Sequence, residues 1–148
     1  MSLHRVSHIG LSTLDLDATR TFYEHVLGFR LVTIEQIDVE EGGCIRHAFF
    51  ECGDGQLLGF MEPRGIEGLP AEYDTGINRG LGVPAAFYHF AFETGSVPGL
   101  EQKRAELLAK GVKVSEIVDH DWAKSIYFKD PKWDAARVLL LYARAQRG

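Results

Sequence analysis

Two histidines at matching places in an internal repeat are the residues of this chain best suited to bind a metal ion. His8 opens one apolar segment and His89 opens another, and each is followed by a helical segment that ends at a glycine. Twenty residues separate His8 from Gly28, and 22 separate His89 from Gly111. Neutral imidazole nitrogens are common ligands of divalent transition metals. If the two copies face each other, the rings meet, so the repeat predicts half of a metal site.

The elements predicted around these histidines form a βαβββ unit that occurs twice. In the first copy a helix capped by Asp15 or Asp17 carries an apolar stripe and ends at Gly28. In the second copy a helix begins near Pro98 and ends at about Lys110. Alternating apolar residues predict the strands at 4–13, 30–36, 45–52, 56–62, 87–94, 112–118, 124–129 and 137–143.

This order predicts an α+β fold in which the helices lie outside a curved sheet. We expect a first module at residues 1–62 and a second at 87–148. Residues 63–86 between them hold three prolines and five glycines without any period. A stretch of that kind is a linker or a loop that borders a site.

Composition excludes several classes of function. The chain has 148 residues, of which 45% are hydrophobic, and a formal net charge of −5 without a Lys/Arg cluster. These values are typical of a globular protein and argue against a nucleic-acid partner. No apolar run reaches the ~20 residues that a membrane helix needs, and no signal-peptide pattern opens the chain. Because Cys44 and Cys52 form neither a disulfide framework nor a CxxC metal motif, we expect a reducing, cytoplasmic location.

The first module also carries a specific family pattern. Residues 8–29 read HxGLxxxDLDxxxxFYxxVLGF, which resembles the opening module of the vicinal oxygen chelate superfamily. This superfamily includes glyoxalase I, fosfomycin-resistance enzymes, bleomycin-binding proteins and extradiol dioxygenases. Residues 88–92 and 125–131 are similar to its second module, so the resemblance covers essentially the full chain. It implies two βαβββ modules forming a cupped, incomplete eight-stranded barrel around one divalent metal, commonly in a homodimer.

Within that superfamily, the segment from Asp119 to Phe128 is most similar to the extradiol, catechol-cleaving branch. The resemblance implies His8 and His89 as metal ligands, His120 as the acid/base or dioxygen-stabilising residue, and Tyr127 as a hydrogen-bond donor to the bound catecholate. It implies Fe(II) as the metal, with Mn, Zn or Ni as alternatives, and a small aromatic or diol substrate. Two imidazoles and a carboxylate on one face of Fe(II) leave positions open for a diol and O₂.

The final carboxylate ligand of the family is missing. It belongs in a DPxGxxLE segment, but here Asp130-Pro131 is followed by Lys-Trp-Asp-Ala-Ala-Arg-Val-Leu-Leu. An ungapped alignment puts Arg137 at the ligand position, and a short insertion puts Leu140 or Leu141 there. The glyoxalase-type ligand of the first module aligns with Gly59, while Glu62, three residues on, faces the other side of a regular strand. We therefore expect metal binding to be weak or absent.

A frameshift would explain this departure. Deleting one nucleotide from a permitted set of codons for residues 132–140 gives Asn-Gly-Thr-Pro-Leu-Glu-Tyr-Phe, which restores the family pattern with its glutamate at position 137. Our hypothesis is that the tail from Lys132 is shifted in frame relative to an active ancestor. The codons of the gene test it, since an alternate frame must encode DPxGxxLE.

Three functions stay open at this point. The first is an extradiol-dioxygenase-like protein with an impaired Fe(II) site and little or no turnover. The second is a metal-free protein that binds small molecules, as the bleomycin-binding relatives do. The third, a glyoxalase- or epimerase-like lyase or isomerase, needs a carboxylate base near Gly59 and the final glutamate of the family, and both are absent. His47 points into the cup or packs across its strand, and Tyr127 and His120 have equally ordinary structural explanations as core and surface residues.

Overall fold

A computed structural model describes residues 5–130 and 138–144 of the chain. The chain divides into two compact units, Met1–Thr75 and Gly76–Gly148. Each unit contains a four-stranded mixed sheet with helices, and neither sheet closes on itself. The two βαβββ modules predicted from the sequence are confirmed, whereas the boundaries 1–62, 63–86 and 87–148 stay a prediction.

The first unit begins with β1 (His8–Ser12), followed by α1 (Leu16–Arg20), which continues as a π-helical turn over Thr21–Val26. Asp15 caps α1, because its carboxylate accepts a hydrogen bond from the Ala18 backbone N–H at 2.8 Å. The sheet has the order β1-β4-β3-β2, with the bounds β2 (Arg30–Asp38), β3 (Cys44–Gly53) and β4 (Gln56–Arg64).

One face of this sheet is buried under the helix. Phe22 and Tyr23 lie at 1% and 0% exposure, and the Tyr23 ring centroid is 4.7 Å from that of Phe60. Burial of these aromatic groups stabilises the unit. The predicted Gly53-Asp54-Gly55 hairpin turn is confirmed, since Asp54 and Gly55 both have positive φ, as a two-residue turn between antiparallel strands requires.

The second unit begins with α2 (Ile77–Gly80), followed by β5 (His89–Glu93) and α3 (Val97–Ala109). Ser96 caps α3 through a 3.1 Å hydrogen bond from the Gly99 N–H. The sheet order β5-β8-β7-β6 repeats that of the first unit, with β6 (Val118–Asp119), β7 (Ala123–Lys129) and β8 (Val138–Arg144).

The predicted strand at 112–118 is mostly wrong. Only Val118 and Asp119 form a regular strand, and Val114 makes an isolated bridge to Phe128. The Arg104 guanidinium donates to the Ser115 carbonyl at 2.8 Å, and the Ser115 hydroxyl accepts from a backbone N–H of β7 at 3.0 Å. Side-chain hydrogen bonds therefore replace part of the strand ladder.

In the described part of the chain, no helix is long and apolar enough to cross a membrane.

Candidate functional site

The helix α3 packs on one face of the sheet of the second unit. The opposite face, on which α3 does not pack, is called the open face here. Strand residues that pair directly point to the same side of a sheet. Ile126, Phe128 and Leu141 are buried on the side against which α3 packs. The register pairs Tyr127 with Leu140, Ser125 with Tyr142, and Ala91 with Leu140. The open face of the second unit is therefore formed by His89, Ala91, Glu93, Ser125, Tyr127, Leu140 and Tyr142.

A hydrogen-bonded cluster lies on this open face. His120 Nε2 is 2.7 Å from the Ser125 hydroxyl and 3.2 Å from the Tyr127 hydroxyl. An imidazole nitrogen offers one hydrogen-bonding position, either a lone pair or a proton. Because Ser125 is the nearer partner, the Tyr127 hydroxyl keeps the capacity to donate to another acceptor. The structure thus brings together His120 and Tyr127, two of the residues predicted to form the site.

Ser125 was missed by the sequence reasoning. It is 2% exposed and its hydroxyl has His120 as its hydrogen-bond partner, so it fixes the orientation of the imidazole. A serine in an alternating strand gives no signal of such a role.

Asp119, the residue before His120, forms an ion pair. The Lys124 ammonium, hydrogen-bonded at 3.0 Å, keeps the pKa of the Asp119 carboxyl below its ordinary value, and the Asp121 backbone N–H acts in the same direction.

His89 is the first residue of β5, and its ring is oriented by the preceding loop. Nδ1 lies 2.9 Å from the Ala86 carbonyl oxygen. Since a carbonyl only accepts, Nδ1 carries a proton, and in the neutral ring Nε2 then presents its lone pair. A metal-ligating histidine usually has a second hydrogen bond of this kind.

A buried asparagine holds that loop in place. The Asn78 amide nitrogen donates to the carbonyls of Ala85 and Tyr88 at 2.9 and 2.8 Å, and its oxygen accepts from the Tyr88 N–H at 2.8 Å. The sequence reasoning missed Asn78, because a short helix inside the Gly/Pro-rich stretch was not predicted. These three hydrogen bonds of Asn78 set the direction of the chain immediately before His89.

The position of the missing carboxylate follows from the register. In the first unit His8 pairs with Leu57 and Gly10 with Gly59; in the second, His89 pairs with Val138 and Ala91 with Leu140. Gly59 and Leu140 are thus equivalent, each opposite the residue two places after the histidine. Neither can bind a cation. Arg137, the alternative from the ungapped alignment, lies outside the described residues.

In the first unit, the sheet face that the helix does not cover includes His8, His47, Phe49 and Gly59 by register, and it differs from the open face of the second unit. His8 is exposed at the start of β1, with its ring centroid 5.8 Å from that of Phe49, and the His47 ring centroid is 4.2 Å from Phe49. A Cβ at Gly59 would lie 2.8 Å from the Phe49 ring and 3.2 Å from His47 Nε2. His47 and Phe49 therefore fill the space that a carboxylate ligand would need.

Glu62 lies on the opposite, helix-covered side, as predicted. It is 5% exposed and accepts hydrogen bonds at 3.1 Å from both Arg46 and Arg64. The ion pairs occupy its carboxylate, so it does not replace the missing ligand.

These donors do not fit a three-ligand metal centre. Among the residues that the structure describes, no cluster of three or more His, Cys, Asp or Glu side chains could hold an ion. The His89 ring has the orientation of a metal ligand. On the neighbouring strand β8, however, the same-face position two residues after the partner of His89 is Leu140. That His8 and His89 bind one ion together stays a prediction.

The family of the chain follows from its sequence. The model of the Glyoxalase/Bleomycin resistance protein/Dioxygenase superfamily matches residues 5–133. The chain belongs to this superfamily. The resemblance inferred from the histidine-led repeat is confirmed, and the match includes His8, His89, His120 and Tyr127. It ends before the positions at which the final glutamate of the family is expected.

Solved structures of other proteins share the fold over nearly the whole chain. FosX, the fosfomycin resistance protein of Listeria monocytogenes, is 19% identical with a TM-score of 0.66, covering 98% of this chain and 97% of its own. TnmS3, an antibiotic binding protein from Streptomyces sp. CB03234, is 19% identical with a TM-score of 0.65, over 98% and 99%. Lactoylglutathione lyase from Agrobacterium tumefaciens is 22% identical with a TM-score of 0.64, over 97% and 96%. No curated protein matches the sequence.

Proposed function

We propose that this superfamily member binds a small aromatic molecule that carries a hydroxyl or carbonyl oxygen, and that it does so without a metal ion. One observation carries the proposal. The open face of the second unit presents an ordered polar group, His120 with Ser125 and Tyr127, beside a leucine where a carboxylate ligand would stand. A ligand oxygen can bind at the Tyr127 hydroxyl, while the apolar part of the ligand contacts the half-buried ring of Tyr142.

A non-catalytic role on this fold has a parallel among the structural relatives. TnmS3 is an antibiotic binding protein, and its fold covers almost the whole chain. Binding an aromatic molecule needs an apolar surface and a few fixed polar groups, both of which the open face of the second unit supplies.

A metal-dependent catechol dioxygenase is the second candidate. The observation in its favour is the 2.9 Å hydrogen bond between His89 Nδ1 and the Ala86 carbonyl, which leaves Nε2 available to a metal. The absence of a carboxylate at Gly59 and Leu140 argues against it, since a carboxylate supplies the negative charge that retains a divalent ion.

Calorimetry with and without a chelator tests the proposal. We expect 2,3-dihydroxynaphthalene to bind metal-stripped protein, with an affinity unchanged by added EDTA and weakened about fivefold to tenfold by Tyr127→Phe, which deletes one hydrogen bond. Oxygen uptake with catechol and Fe(II) should stay at background. Binding that requires Fe(II), or sustained oxygen uptake, contradicts the proposal and favours the dioxygenase.

A further inference from the structure

Two unfavourable features occur at adjacent residues in the turn between β6 and β7. Asp121 has a φ of +65°, in the left-handed region that L-residues other than glycine rarely adopt. The Trp122 backbone N–H donates to the His120 carbonyl at 2.7 Å, which closes a three-residue γ-turn over Asp121. Trp122, the next residue, is 64% exposed.

Neither feature contributes to the core of the unit. An indole exposed to that extent gains little from burial, and a glycine at position 121 would form the same turn without strain. The turn joins β6 to β7 in two residues, since the His120 N–H donates to the Ala123 carbonyl at 2.8 Å, and a two-residue turn between antiparallel strands requires a positive φ at its first residue. It also holds the Trp122 ring beside the His120 cluster.

The position of the ring supports this interpretation. The Trp122 centroid is 6.5 Å from that of His120, with 34° between the planes, and 6.4 Å from that of Tyr142. Tyr142 belongs to the open face of the second unit, and His120 Nε2 lies 2.7 Å and 3.2 Å from the hydroxyls of Ser125 and Tyr127 on the same face. Trp122 therefore lies at the same site as the Tyr127 hydroxyl, while much of its own surface is still open.

We propose that Trp122 is the stacking platform that selects planar aromatic ligands at this site. The inference rests on the proposed function and adds the residue that determines the substrate class. The ligand ring lies against the indole, and an oxygen substituent accepts a hydrogen bond from Tyr127. Face-to-face stacking on an indole is strongest for a flat π-system, so a saturated diol of similar polarity gains much less from Trp122.

Calorimetry on metal-stripped full-length protein tests this with two probes, 2,3-dihydroxynaphthalene and cis-cyclohexane-1,2-diol. We expect the naphthalenediol to bind at least about tenfold more tightly than the saturated diol. Trp122→Ala should weaken binding of the naphthalenediol by roughly tenfold and leave that of the saturated diol unchanged. Trp122→Phe should restore most of the affinity. The control Leu108→Ala, which removes an exposed apolar side chain from α3, should change neither.

The outcomes separate the inference from the function on which it rests. If Trp122→Ala keeps wild-type affinity for the naphthalenediol, the platform is refuted while the binding function stands. If the variant weakens both probes equally, Trp122 has only a structural role and the inference is wrong. If the wild type binds neither probe, the proposed function fails and the inference fails with it.

Discussion

Replacing Leu140 by glutamate should create a metal site, because residue 140 occupies the register position of the missing carboxylate. Ala91, two residues after His89 on the same strand, pairs with Leu140. The side chains of His89 and residue 140 are therefore diagonal neighbours on one face, about 7–8 Å apart at Cβ. An imidazole and a carboxylate at that separation can both reach one Zn²⁺ ion at about 2.0–2.2 Å.

The expected magnitudes follow from burial and linkage. Leu140 is 8% exposed, so without metal Leu140→Glu should destabilise the protein by about 2–5 kcal/mol. Zn²⁺ at a hundred times its dissociation constant should return about 2.7 kcal/mol, which corresponds to roughly 5–10 °C in Tm. Thermal unfolding with and without Zn²⁺ measures both quantities, and calorimetry should show binding at least about tenfold tighter than in the wild type.

Three matched variants make the test decisive. Leu140→Gln should be destabilised to a similar extent but gain little from Zn²⁺, and His89→Ala in the Leu140→Glu background should abolish the gain. The ungapped alignment makes the opposite prediction, that Arg137→Glu and not Leu140→Glu restores metal binding. Equal stabilisation of the glutamate and glutamine variants by Zn²⁺, or stabilisation that survives the loss of His89, would refute the reasoning.

Two further predictions concern stability. Asn78→Ala removes three hydrogen bonds and leaves a backbone N–H of the loop unsatisfied, so urea unfolding should show that the free energy of unfolding falls by about 2–3 kcal/mol, and ¹⁵N spectra should show a mixture of His89 tautomers. Asn78→Asp, which keeps the acceptor, should recover part of the stability and part of the single-tautomer spectrum. An unchanged His89 spectrum in Asn78→Ala would contradict the role of Asn78 in orienting His89. Basic partners, Arg30 on Glu51 among them, hold the pKa of five carboxyls at the protein surface below its ordinary value. These carboxyls stabilise the folded protein above their pKa in the unfolded chain, and the stabilisation is lost as the pH falls through their lower pKa in the folded protein, so the free energy of unfolding should decline below about pH 4. Arg30→Gln should make this decline with pH less steep. An unchanged pH dependence would show that the pair of Arg30 and Glu51 contributes nothing measurable.

The sequence determined the repeat and most of its elements, since local signals define them. The period of apolar residues, the capping Asp15 and the Gly53-Asp54-Gly55 turn depend on neighbours a few residues away, and these predictions agree with the structure. The strand predicted at 112–118 failed because its hydrogen bonds depend on Arg104, a helix residue that periodicity does not connect to it.

The site depended on contacts that only the tertiary structure reveals. The sequence supplied His8, His89, His120 and Tyr127 through repeat symmetry and family resemblance. It could not supply Ser125 or Asn78, whose roles arise from hydrogen bonds to residues that folding brings within 3 Å. Nor could it choose between the alignments of the tail, because the strand register that makes Leu140 equivalent to Gly59 is set by pairing across the sheet. The sequence determines the chemistry of each single residue, but packing and strand register decide which residues share a face.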